Sequence, residues 1–109
     1  MNNGGFERVA ALDDLIEGVP VSAKLSSGEQ ICLIKFQGEI YAVADSCSHA
    51  DFPLSDGELV DDYIIECGLH GAQFDIRDGS AVEPPATDPI TSYEVRVDAG
   101  DVWVKPSGL

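Results

Sequence analysis

A small all-β domain, an antiparallel β-sandwich or barrel carrying an inserted sub-domain, is the fold class predicted by this 109-residue sequence. Three observations carry that reading. Short runs of alternating or continuous apolar residues recur along the chain, separated by turns rich in Gly, Asp and Ser. Two of those turns, Gln37-Gly38 and Ala99-Gly100, have the length and the glycine of a two-residue hairpin connection. The one helical hint, residues 12–17, is ended by Gly18 and is too short for more than a turn or two.

The elements follow in order. Residues 6–10 form a short β run. Residues 19–26 place Val21, Ala23 and Leu25 on one face. Residues 30–36 are apolar on both faces, as in a central strand, and residues 39–44 return as the hairpin partner. Residues 45–83 are different in character, rich in Asp, Ser and Gly, with short strands expected at 58–60, 63–66 and 74–77. Pro84, Pro85 and Pro89 then stiffen a returning loop. Tyr93, Val95 and Val97 alternate with Glu94, Arg96 and Asp98, and Val102-Trp103-Val104 completes a closing hairpin. The chain reads as one domain over 1–109, with framework 1–44 and 84–109 around an inserted sub-domain at roughly 45–83.

A domain of this size buries roughly two thirds of its unfolded surface. No run of about 20 apolar residues is present, so no membrane span is expected. Met1-Asn2-Asn3-Gly4-Gly5 has neither a basic region nor an apolar run, so no secretory signal is expected. The closing hairpin stands next to the last residue, which predicts no attached catalytic domain. Three cysteines cannot all pair, and two sit in loop segments. That usage indicates metal ligation in a reducing cytoplasm rather than a disulfide framework.

The formal charge is −14, and it is uneven: residues 45–90 hold eleven Asp or Glu against one Arg, Arg77, a net of −10. Such a charge argues against nucleic acid and anionic membranes as partners. It fits a basic docking partner reached by electrostatic steering, or simply a solvated face.

The chemistry concentrates in Cys47-Ser48-His49 and Cys67-Gly68-Leu69-His70, with seventeen residues between them; both histidines of the chain are used here. Asp45 and Glu66 end expected strands, so the two loops emerge from strand ends and, facing each other, offer four ligands to one site. Thiolates suit iron–sulfur chemistry and imidazoles suit iron or zinc. Two Cys and two His are the ligand set of a Rieske [2Fe–2S] centre. Gly68 and Gly71 let backbone amides approach the sulfurs closely. A structural zinc site uses the same donors, but zinc modules usually group the cysteines together and the histidines together, whereas each loop here is mixed.

With Gly71-Ala72-Gln73-Phe74-Asp75 and the Pro84-Pro85 loop behind them, these segments resemble the Rieske-type ferredoxins. The closest resemblance is to the small electron carriers of aromatic-ring-hydroxylating dioxygenases, such as those acting on carbazole or biphenyl. It covers nearly the whole chain. It implies the Rieske iron–sulfur fold and one [2Fe–2S] cluster, with Cys47 and Cys67 on the inner iron and His49 and His70 on the outer, more exposed one. It also implies a monomeric one-electron carrier, not itself an enzyme, working in the cytoplasm between a flavin-containing reductase and a terminal oxygenase. A housekeeping Rieske ferredoxin of iron–sulfur assembly, or the small subunit of a nitrite reductase, shares the same chemistry; a zinc-stabilised interaction module is the alternative from another class.

Two departures concern loop stiffness rather than ligation: Ala50 follows the first histidine and Gly68 follows the second cysteine. Respiratory Rieske proteins add a disulfide between the loops; Phe52 and Leu69 stand at the equivalent positions, so no such bridge forms here. Ala72 and Phe74 stand where those proteins carry serine and tyrosine hydroxyls. The resemblance therefore implies the low end of the Rieske range of about −150 to +300 mV. Elsewhere, Cys32 reads as a small buried hydrophobe. Trp103 reads as core or cover, and Tyr41 and Tyr93 as strand packing. Asp51, Phe52 and Pro53 form either part of a docking rim or a loop-shaping segment.

Overall fold

The central strand of the sheet system, Gln30–Phe36, is buried on both faces, and the architecture follows from that. A computed structural model describes residues 5–45, 53–67, 71–83 and 89–105. Among them are strands β1 (Glu7–Ala11), β2 (Val21–Lys24), β3 (Gln30–Phe36), β4 (Glu39–Ala44), β5 (Glu58–Asp61), β6 (Ile64–Glu66), β7 (Gln73–Asp75), β8 (Ala81–Glu83), β9 (Ser92–Tyr93), β10 (Val95–Asp98) and β11 (Asp101–Val104). They pair as three sheets in the orders β1-β11-β10, β2-β3-β4-β9 and β5-β6-β7-β8. Every pairing within the sheets is antiparallel.

The two-residue side-chain period divides β3 between two cores. Ile31 and Leu33 pack with Leu15, Leu25, Ile40, Ala42, Val102 and Val104, which joins the second sheet to the first. Cys32 and Ile34 face the other way, among Val43, Leu54, Ile65, Cys67, Ala72 and Phe74, which joins the second sheet to the third. The apolar stretch at 30–36 is thus the wall shared by both cores.

Both expected hairpin turns form. Gln37 and Gly38 have φ of 52° and 80°, and Ala99 and Gly100 have 53° and 81°, the pairs of positive φ that a two-residue turn needs to match strand twist. Ala99 carries a Cβ in that region, which costs roughly 1–2 kcal/mol. Ala99→Asn is therefore expected to raise stability by up to about 1 kcal/mol, read as a higher denaturant midpoint at unchanged slope.

Several expectations are corrected. The residues from Tyr93 to Val97 are not one strand: β9 pairs with β4 and β10 with β11, so the chain leaves one sheet for another at Glu94. The alternation survives because Tyr93 and Val95 pack against the same core from both sheets. The helical hint reduces to a single 3₁₀ turn, Leu12–Asp14, and Gly18 takes a φ of 78°. The strand expected at 74–77 ends at Asp75 and turns toward β8, an element that three residues ahead of a Pro-Pro pair did not announce.

Tyr63 is not in a strand but in the β5–β6 turn, at a φ of 61°. It is held there by edge contacts with Phe36 and Tyr41, at 4.9 and 5.9 Å between ring centroids, and by Arg77 lying 4.2 Å from its ring centroid. Arg77 donates in turn to Asp75 through Nε and an Nη, at 3.0 and 2.7 Å, and holds that carboxyl below its ordinary range. This group pins the third sheet to the second at the start of β6, the end opposite to Glu66 and Cys67. Trp103 is half-buried, and its indole N–H has no hydrogen-bond partner among the described residues.

Candidate metal centre

Strand β6 delivers Cys67 to the core. Ile65 and Cys67 lie two positions apart and share a face, at 0% and 1% exposure. The β6–β7 ladder pairs Ile65 with Phe74 and Glu66 with Gln73. It continues one step further, where the Cys67 N–H donates to the Ala72 carbonyl at 2.7 Å. Glu66 also accepts from the Gln73 side chain at 3.0 Å, which closes the neck of the loop. Gly71 re-enters the strand at a φ of 74°, a conformation that a side chain would strain.

The other loop is tied at both ends. The Asp45 N–H donates to the Gln30 carbonyl at 3.0 Å. The Asp45 carboxylate is buried and accepts from the Ser55 backbone N–H at 2.7 Å and from the Ser55 hydroxyl at 2.9 Å. Next to Ser55, Leu54 is fully buried in the core that holds Cys67 and Ala72. Leu54–Asp56 form a 3₁₀ turn, and Gly57 follows it with its N–H on the Leu54 carbonyl. Gly57 lies so close to the carbonyl of Glu66 that a Cβ there would overlap it. The two cysteine loops are therefore rooted side by side: residues 54–57 rest directly on the strand end that leads into Cys67.

Of the expected ligands, the structure places Cys67; Cys47, His49 and His70 lie outside the described residues, as do Asp51, Phe52, Pro84 and Pro85. Pro53 is exposed. Cys32 is fully buried in the same core as Cys67, and burial first, then the Asp45 charge, pushes its thiol well above the ordinary range. A thiol so disfavoured as thiolate is packing material, in keeping with the expectation. Sequence reasoning missed the Asp45–Ser55 pair and Gly57. Their only signal was the polar, Gly-containing run Leu54-Ser55-Asp56-Gly57, which reads as an ordinary turn.

The donor set fits an iron–sulfur cluster. Cys67 lies in an apolar core at a strand end, and residues 54–57, which follow the first Cys/His segment, rest against the strand that leads into the second. Comparison with known proteins agrees. The Rieske [2Fe-2S] domain model matches residues 6–94. The 3-phenylpropionate/cinnamic acid dioxygenase ferredoxin subunit of Escherichia coli K12 is 42% identical over 81 residues, covering 74% of this chain and 76% of its own length. The ferredoxin of carbazole 1,9a-dioxygenase from Nocardioides aromaticivorans IC177 superposes with a TM-score of 0.89 at 34% identity, over 94% of this chain and 98% of its own. A chain in the complex of reduced oxygenase and oxidised ferredoxin of carbazole 1,9a-dioxygenase gives 0.86 at 30% identity, with 94% of each chain covered. The all-β fold, the placement of Cys67 and these likenesses agree: the chain belongs to the Rieske [2Fe-2S] domain family, and its cofactor is one [2Fe–2S] cluster.

Proposed function

We propose that this chain is the ferredoxin of a ring-hydroxylating dioxygenase system, a one-electron carrier rather than an enzyme. The observation that carries the reading is the near end-to-end match to a dioxygenase ferredoxin, 98% of that chain at a TM-score of 0.89. Cys47 and Cys67 would hold the inner iron and His49 and His70 the outer one. When bound, the cluster supplies reversible one-electron chemistry. The protein's part would be to hold the histidine-bound iron on the more exposed side, with Cys67 in the core, and to dock its partners. The insertion of β5–β8 between framework strands supports reading that sheet as part of the cluster-binding sub-domain expected at roughly 45–83.

The electron would come from a flavin-containing reductase and pass to a terminal oxygenase. A net charge of −14 favours a basic docking face on each, met transiently by a monomer. No helix among the described residues is long and apolar enough to cross a membrane. The cysteine usage supports a cytoplasmic carrier.

Ala72 and Phe74 are buried in the core that holds Cys67 and offer no hydroxyl there, which supports a low potential. Ala72→Ser and Phe74→Tyr are each expected to raise the midpoint potential by supplying a donor that favours the reduced cluster. Voltammetry showing no rise in either would refute this account of tuning. The function itself is tested by anaerobic purification and reconstituted turnover. Red-brown protein with two irons and two sulfides per chain should support turnover of a ring-hydroxylating oxygenase with a flavin reductase. A colourless preparation, or no turnover by a cluster-loaded one, would refute it.

A further inference from the structure

The Asp45 carboxylate is the one charged side chain in the buried part of the described molecule, at 7% exposure. It is bonded to neutral donors, the N–H and the hydroxyl of Ser55. The ion pairs among the described residues, Arg8–Asp101 and Arg77–Asp75, lie elsewhere. A buried charge that accepts from dipoles and has no ion-pair partner among the described residues keeps a field that water does not damp as it damps surface charges. The charge lies against the core behind the site: it holds Ser55, whose neighbour Leu54 is buried with Cys32 and Cys67, and it adds to the burial that raises the Cys32 thiol.

Asp45 also stands two residues ahead of Cys47, at the root of a proposed ligand loop. From this placement we infer that Asp45 sets the potential of the cluster, its charge opposing the incoming electron while Ser55 fixes where that charge sits. The inference rests on the proposed ligand assignment. Reduction adds one negative charge to the site, and a fixed negative charge nearby disfavours it. Ser55 works in the opposite sense, because its two donors draw density from the carboxylate. Asp45 is a positioning and field-setting residue that need not touch the cluster.

The sign of each effect gives the test. Anaerobic voltammetry on cluster-loaded protein compares wild type, Asp45→Asn, Ser55→Ala and Asp98→Asn. Asparagine keeps the shape of Asp45, with its Oδ1 still accepting from the Ser55 N–H and its NH2 donating to a reoriented Ser55 hydroxyl, so the expected result is a positive shift of about tenfold in the reduction equilibrium, about 59 mV for one electron. The visible spectrum and iron content should not change. Ser55→Ala is expected to shift the potential the other way. Asp98→Asn removes the same unit of charge from an exposed site on β10 and should move the potential less than twofold. An Asp45→Asn shift no larger than that of Asp98→Asn overturns the inference. If Asp45→Asn does not hold its cluster, Ser55→Ala decides, and an unchanged or raised potential overturns it. If wild-type protein binds no iron, the ligand assignment has failed instead.

Discussion

Cys67→Ala protein is expected to fold and to emerge colourless. The substitution removes one sulfur atom from a buried position, a truncation worth on the order of 1 kcal/mol in packing. It leaves intact the backbone bond from residue 67 to the Ala72 carbonyl and the β6–β7 ladder. What it takes away is the thiolate, for which alanine offers no substitute, so cluster loading should fall to background. The far-ultraviolet spectrum should stay that of a β protein, while visible absorbance, iron and labile sulfide disappear. The melting temperature should fall further than packing alone explains, because a group bound only by the folded state contributes its binding energy to folding. Cys32→Ala is the matched control. It removes the same atom from the same core, yet the thiol there is held in its neutral form, so that variant should keep its colour. If Cys67→Ala retained two irons per chain, the ligand assignment would be wrong.

Gly57→Ala is expected to damage both fold and site, although its backbone conformation suits any residue, with φ near −87°. The difficulty is space. The added methyl would fall on the Glu66 carbonyl oxygen, which belongs to a strand and has no free torsion through which to withdraw. Overpacking of this kind costs about 1–3 kcal/mol. Each kcal/mol corresponds to roughly 4–8 °C in melting temperature for a domain near this size. Glu66 immediately precedes Cys67, so the displacement should also shorten cluster lifetime against a chelator. Gly38→Ala supplies the contrast. A Cβ there meets open space, and its cost is the positive φ of 80° alone, with no effect on the cluster. Equal cluster lifetimes in the two variants would show that the 54–57 turn does not brace the site.

Local chemistry made much of this protein legible. The hairpin turns at 37–38 and 99–100 need only backbone conformations that glycine and its neighbour accept, so both form where the residues indicate. Strands β3 and β4 end where their apolar runs end. The iron–sulfur cofactor was legible from residue type and spacing, since two Cys and two His in mixed pairs favour a Rieske cluster over the zinc site that uses the same donors.

Other features depend on neighbours far apart in the chain. Whether 92–98 is one strand or two depends on which sheet lies beside each residue, and the alternating pattern is the same in both cases. Tyr63 accepts a left-handed backbone because Phe36, Tyr41 and Arg77 enclose its ring. Asp45 looks like one more surface acid among twenty acidic residues until the fold brings Ser55 against it and removes the water. The sequence by itself determined the strand periodicity, the tight turns and the donor chemistry, because each is a property of a few consecutive residues. The tertiary structure alone decided the sheet partners, the close approach of Gly57 to Glu66 and the buried charge at Asp45, because packing and desolvation arise only where distant segments meet.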